Sequence, residues 1–163
     1  MINTLDRISI CIKLKMDAAH RIYGHENKCK DIHGHEYHFE IYCKADELDN
    51  LDRVADFGAV KRVLKSWIDE NLDHGMLLGS NDPIKRLWCE EQWTQEYGAP
   101  ENFSAGFLKG MKYFILDGNP TAENIASHVK QIGNQLLQAQ DIKVHIYKVV
   151  CHETMGCSAT AED

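Results

Sequence analysis

A chain of 163 residues, 44 % apolar and 26 % charged, is long enough to bury one sizeable core and reads as a single globular domain spanning 1–163. Its net charge of −7, from 18 basic and 25 acidic residues, disfavours nucleic-acid binding, which wants a basic surface, but leaves room for an anionic small molecule in a local basic pocket. The N-terminus has no secretory pattern, no apolar run reaches membrane-spanning length, and the six cysteines form no C-x-x-C pair, so they read as reduced thiols of a cytoplasmic protein.

The first predicted strand, about Arg7–Met16, carries its apolar residues on even positions: Ile8, Ile10, Ile12, Leu14 and Met16. Side chains two apart on a strand share a face, and the same count runs on through Ala18 to His20. A loop follows, with Gly24 and Asn27 as turn residues and Cys29 between Lys28 and Lys30. The second strand, about Glu36–Ala45, places Tyr37, Phe39, Ile41 and Cys43 on odd positions, and the count backwards reaches His35 and His33. If the two strands pair as a hairpin, His20, His33 and His35 converge at one end of a sheet. Three neutral imidazoles suit a borderline-soft divalent ion, zinc by default, with the fourth position open as a catalytic site requires. Each histidine alone reads more simply as an exposed loop end than as a ligand; the shared phase of all three reverses that and favours a metal site. A thiol among cations ionises more readily, which makes Cys29 a candidate reactive group. As a fourth ligand it would instead close the site, and it is also compatible with a packed free thiol.

Residues 46–53 are acidic and read as a turn. Asp56 suits the N-cap of a helix whose Val60, Val63, Leu64, Trp67 and Ile68 recur at helical spacing. Gly75 suits its termination, which leaves Asp73 and His74 in a loop. Residues 79–110 read as a peripheral insertion. Ser80–Pro83 resembles a helix start, Ile84, Leu87, Trp88 and Glu91 suit a short amphipathic helix, and Ala99-Pro100 breaks it. Met111–Leu116 reads as a short strand. Thr121 caps a second long helix to about Gln138, with Ile125, Ala126, Val129, Ile132, Leu136 and Leu137 on its apolar face. A strand over Lys143–Glu153 is apolar on both faces, and a last short strand uses Ser158–Ala161 after a turn at Gly156. This order predicts an α+β fold, an antiparallel sheet with two helices packed on one face.

The pattern His20…Cys29-Lys30-Asp31-Ile32-His33-Gly34-His35 resembles the 6-pyruvoyl-tetrahydropterin synthase family, and within it the bacterial 6-carboxy-5,6,7,8-tetrahydropterin synthase branch. The likeness continues at Asp56-Phe57, Leu72-Asp73-His74, Pro120-Thr121-Ala122-Glu123-Asn124 and Glu153-Thr154, and covers most of the chain outside 79–110. It implies the T-fold, whose subunits join sheets into barrels, and hence a homo-oligomer, a hexamer built from two trimers. It also implies 7,8-dihydroneopterin triphosphate as substrate, one zinc ion on His20, His33 and His35, and Cys29, Asp73 and His74 as catalytic groups. Glu153 matches the pterin anchor, and Thr121 and Glu123 match positions near the pterin. Without the resemblance, His74 would merely favour a helix dipole, Thr121 would be a cap and Glu153 a strand-end acid. Arg21, Lys28 and Lys30 are either triphosphate contacts or solvated loop charges. Three residues between Cys29 and His33 resemble the 6-carboxy branch, whereas the 6-pyruvoyl branch usually has five. Other readings are a 6-pyruvoyl-tetrahydropterin synthase and a non-catalytic zinc-stabilised binding module.

Overall fold

In a computed structural model of the chain, which describes residues 8–89, 108 and 110–163, the first two strands form one long hairpin. Strand β1 (Ile10–His20) pairs antiparallel with β2 (His33–Lys44) without a break, from Ile10 opposite Cys43 to His20 opposite His33. Alternation then sorts the side chains. Ile12, Leu14, Met16, Ala18 and His20 of β1, with Tyr37, Phe39, Ile41 and Cys43 of β2, are buried on one face. Lys13, Lys15 and Asp17 point outward, opposite Glu40, His38 and Glu36. Both strands outrun their predicted limits at the histidine end: β1 continues past Met16 to His20, and β2 begins at His33 rather than Glu36. The sequence signal faded there because Asp, Ala, His and Gly are poor strand formers, while backbone pairing to a fixed partner overrides such local preference. Arg7 lies outside the described residues.

Helix α1 (Phe57–Asn71) is started by Asp56, whose side chain accepts from the Ala59 N–H at 2.8 Å. It buries Val60, Leu64 and Ile68. Trp67 joins the same core, edge-on to Phe114 with ring centroids 5.8 Å apart. Its stop differs from the expected glycine. His74, at φ 57°, makes the left-handed turn, and Gly75 already belongs to the next strand, β3 (Gly75–Gly79). A Cβ on residue 75 would lie 3.0 Å from the Leu72 carbonyl oxygen, so the glycine serves close approach rather than the turn.

Strand β3 lies parallel to β1, with Ala18 opposite Gly75, and β4 (Tyr113–Leu116) lies parallel to β3. The sheet is therefore mixed, in the order β4-β3-β1-β2-β5-β6, and antiparallel only over β1, β2, β5 and β6. The stretch Gly-Met-Leu-Leu-Gly, buried throughout, is too short and too uniformly apolar to show a period, which hid β3 from the sequence reading. Beyond it, Asp82 caps a 3₁₀ turn (Pro83–Lys85) that leads into α2 (Arg86–Cys89). Glu91, Ala99 and Pro100 lie outside the described residues.

Helix α3 (Ala122–Ala139) buries Ile125, Ala126, Val129 and Leu137 in the core that α1 shares. It approaches the sheet so closely at Gly133 that a Cβ there would meet Ile146 Cδ1 at 2.6 Å. Strand β5 (His145–Thr154) explains its own two-faced sequence. Cys43 faces Ile146 while Tyr42 faces Lys148, so Tyr147 is an extra residue and the buried phase passes from Ile146 to Val149 and Cys151. A second irregularity, between His152 and Thr154 against β6 (Cys157–Glu162), makes Glu153 the extra residue there. The α+β fold with two helices over one sheet face is borne out, and the site lies where β1 ends, β2 begins and α3 starts.

Candidate active site

The hairpin register sets His20 opposite His33 and Ala18 opposite His35, all on the helix-covered face. The three rings pack edge to face or tilted, with centroids 4.5–5.2 Å apart. One nitrogen from each can be chosen so that all lie within 4.8 Å of one another. Two carbonyls fix the tautomers. Pro120 O lies 2.8 Å from His20 Nδ1, and Asp31 O lies 2.8 Å from His33 Nδ1. A carbonyl only accepts, so both Nδ1 atoms carry hydrogen and both Nε2 atoms carry lone pairs. Those two Nε2 atoms face each other at 3.1 Å. Facing lone pairs at that distance require a cation between them. A proton is one solution, but burial pushes the His20 ring below its usual range, against a partial lift from the Pro120 bond. A divalent ion is the other. Tetrahedral neighbours about 2.05 Å from zinc stand about 3.3 Å apart, close to the observed spacing. The donor set therefore fits a metal of this class, and the carbonyl contacts are the outer partners that orient metal-binding imidazoles.

The loop between the ligands is tied down where it leaves β1. Arg21, next to His20, forms a two-pronged ion pair with Asp82, Nε–Oδ2 2.7 Å and Nη2–Oδ1 2.6 Å, and the Asp82 side chain is fully buried. Asn119 accepts from the Tyr23 N–H and donates to the Tyr23 carbonyl. Arg21 is thus neither a solvated loop charge nor a free phosphate contact. Lys28 and Lys30 are exposed. Cys29 sits half-buried in the 3₁₀ turn Lys28–Lys30, its carbonyl accepting from Ile22 N–H at 2.7 Å, and its thiol stands outside the histidine cluster. His25 accepts from Asn27 N–H within the loop, and His38 pairs with Glu36 on the opposite face.

Asp73 and His74 stand at the edge of β1. His74 Nδ1 lies 2.6 Å from Asp73 Oδ2, Asp73 Oδ1 accepts from the Asp17 N–H at 2.8 Å, and His74 N–H donates to the Asp17 carbonyl at 2.6 Å. Burial alone would raise the Asp73 carboxyl. The Asp17 N–H, His74 and nearby Lys112 outweigh it and hold Asp73 below the usual carboxylate range. The pair orients the His74 ring and leaves its Nε2 free. It opens on a cleft of about 710 Å³ whose lining includes Asp17, His35, Glu36, Trp88 and Lys112. Among the described residues no hydrogen bond or ion pair joins this dyad to the histidine triad.

Glu153 lies at the triad, its Oε1 3.5 Å from His20 Nε2. Thr121 caps α3, accepting from Asn124 N–H at 3.3 Å, and directly follows the Pro120 whose carbonyl orients His20. Glu123 is exposed in the first turn of α3. The sequence reading missed the Pro120 and Asp31 carbonyls, Asp17, Asp82 and Tyr37. Only Tyr37 had a visible signal, two places along the alternation that carries His35.

The family model for 6-pyruvoyl tetrahydropterin synthase matches residues 9–163. The 6-carboxy-5,6,7,8-tetrahydropterin synthase of Rickettsia felis is 40 % identical over 146 residues, 89 % of this chain and 93 % of that protein. An uncharacterized protein from Wolinella succinogenes has the same fold, with TM-score 0.72 at 21 % identity over 96 % of this chain and 98 % of that one. So does the 6-pyruvoyl tetrahydropterin synthase of Caenorhabditis elegans, with TM-score 0.61 at 17 % identity over 96 % and 95 %.

Proposed function

Because this chain belongs to the 6-pyruvoyl tetrahydropterin synthase family, we propose that it acts as a carbon–carbon lyase on 7,8-dihydroneopterin triphosphate. The products are 6-carboxy-5,6,7,8-tetrahydropterin, acetaldehyde and triphosphate, in the route to queuosine and other 7-deazaguanine compounds. The observation that carries this reading is the convergence of His20, His33 and His35, with the Nε2 atoms of His20 and His33 facing each other at 3.1 Å. These three residues would hold zinc. Bound there, zinc would supply Lewis acidity to the side-chain oxygens of the substrate.

The other groups have roles that their chemistry allows. Cys29 removes a proton from the substrate side chain, acting as an acid–base group rather than a nucleophile. His74, oriented by Asp73, gives or takes a proton at Nε2. Glu153 accepts paired hydrogen bonds from the guanidine-like edge of the pterin, as a carboxylate does from arginine. Thr121 and Glu123 border the pterin. Among the described residues no hydrogen bond or ion pair joins the dyad to the triad, so a shared reaction calls for a second copy to bring its dyad to this triad. That requirement agrees with a homo-oligomer, a hexamer made of two trimers, acting in the cytoplasm. No helix among the described residues is long and apolar enough to cross a membrane.

Incubation of the zinc-loaded protein with dihydroneopterin triphosphate tests the reading, with mass identification of the pterin and a coupled alcohol dehydrogenase assay for acetaldehyde. Cys29→Ala should keep metal and fold and lose turnover. Triphosphate release with all three side-chain carbons retained would move the protein to the 6-pyruvoyl reaction. Absence of both products would leave a zinc-stabilised binding module.

A further inference from the structure

Tyr37 is fully buried, and its hydroxyl has no hydrogen-bond partner. A buried unpaired hydroxyl is costly, so its retention calls for a use in another state of the protein. Its position limits what that use is. The ring stands edge-on to His20 and His35, with centroids 5.8 and 5.6 Å away, so Tyr37 forms part of the floor under the triad. The β2–β5 ladder ends with His38 opposite His152, and Glu153, the bulged residue next to it, brings its carboxylate to 3.5 Å from the His20 ring that Tyr37 stands against.

Glu153 is also incompletely held. Its carboxylate is 3.5 Å from His20 Nε2, beyond good hydrogen-bond length, and that nitrogen carries the lone pair turned towards the cation position. Once the lone pair is committed to a cation, His20 Nε2 has no proton to offer the carboxylate. Glu153 then needs a donor, and Tyr37 has one to give. Resting on the pterin reading, we infer that Tyr37 is a positioning residue: in the metal-loaded, pterin-bound protein its O–H donates to Glu153 and fixes the carboxylate plane that receives the pterin edge.

The test uses zinc-loaded wild type, Tyr37→Phe, Glu153→Gln and the double variant, with unreactive oxidised neopterin as the probe. An orphan hydroxyl in the free protein means that Tyr37→Phe keeps full metal content and a free-protein Tm equal to or above wild type. Its neopterin affinity should fall about 10- to 100-fold, the range of a hydrogen bond to a charged group, and KM should rise with kcat retained at saturation. Adding Tyr37→Phe to Glu153→Gln should cost much less than it does alone, because the two act as one unit. Wild-type affinity in Tyr37→Phe, full additivity of the two losses, or a lowered free-protein Tm would each overturn the inference. If zinc-loaded wild type fails to bind neopterin, the pterin reading itself falls and the role of Tyr37 falls with it.

Discussion

The two histidine-bearing regions of this molecule are built in opposite ways. The triad comes from one hairpin, whose continuous register fixes three rings on one face and leaves His20 only 1 % exposed. The dyad comes from residues 56 positions away from the strand that holds it, hung on the Asp17 backbone, with the His74 side chain 75 % exposed. The first region is a cluster of three rings from one chain. The second is a single oriented imidazole facing solvent, and its usefulness depends on what is brought to it. A site that binds an ion must bring several donors together within a few ångströms; a site that moves a proton needs one ring in one tautomer.

Removing triad members should have the largest effect and should leave the dyad untouched. His20→Ala, His33→Ala and His35→Ala are each expected to lower metal content from about one ion per chain to near zero and to abolish activity, since three protein ligands are the least a catalytic site of this kind uses. Metal analysis of the purified variants checks this. Full retention in any one of them would take that residue out of the centre.

His74→Ala should do the reverse: full metal content with turnover lower by about 10²–10⁴-fold, the usual share of a positioned acid–base group. Loss of metal would couple two regions that no hydrogen bond or ion pair joins among the described residues. Asp73 also gives the corner a pH signature. Its carboxyl is held below the usual range, so the native state favours its ionised form. The resulting stability is present above the ordinary carboxylate pKa near 3.9 and is lost as pH falls through the lower native value. Asp73→Asn should remove that acid-side loss, measured as Tm against pH between about 2 and 5.

Asp82→Ala breaks a buried ion pair and leaves the Arg21 guanidinium without its partner. A loss of about 3–5 kcal/mol in unfolding free energy is expected, read by denaturant titration. A loss under about 1 kcal/mol would mean that the pair behaves as a surface contact. This pair also revises the place of the 79–110 stretch. Its described beginning supplies the end of β3 and the buried carboxylate that holds Arg21, so a deletion starting at Gly79 should disturb the site, whereas one confined to 90–107 bears on the notion of a peripheral insertion.

Much of the inner face was legible because its signal is periodic. Alternation on Ile12, Leu14 and Met16 extends without a break to His20, and the odd positions of β2 lead back to His33, so sequence alone brought the ligands together. Asp56, Thr121 and the apolar stripes of α1 and α3 were legible for the same local reasons. What stayed hidden depends on non-local partners. Strand β3 has no period to read, and its parallel pairing is set by the return of the chain after α1. The Arg21–Asp82 pair joins positions 61 apart, and the carbonyl that orients His20 comes from Pro120, 100 residues away. The bulge at Tyr147 turned one strand's pattern into what looked like two apolar faces.

The smallest effect tests how the triad is held. Thr121 begins α3 by accepting the Asn124 N–H, while its neighbour Pro120 presents the carbonyl that holds His20 Nδ1. Removing the cap hydroxyl in Thr121→Ala should cost about 1 kcal/mol of stability. If the cap also fixes Pro120, zinc affinity should fall by about 10-fold, the low end of what outer-sphere partners contribute, with metal stoichiometry unchanged at saturating zinc. Thr121→Ser keeps the hydroxyl and should restore both quantities. A chelator competition assay separates the outcomes: a stability loss with unchanged zinc affinity would make Thr121 a helix cap alone and assign the orientation of His20 to the rigid Pro120 backbone. A loss of zinc affinity larger than that of His33→Ala would place Thr121 closer to the ion than its hydrogen bond to Asn124 allows. The dyad should register none of this, because Asp17, Asp73 and His74 share no hydrogen bond with the start of α3.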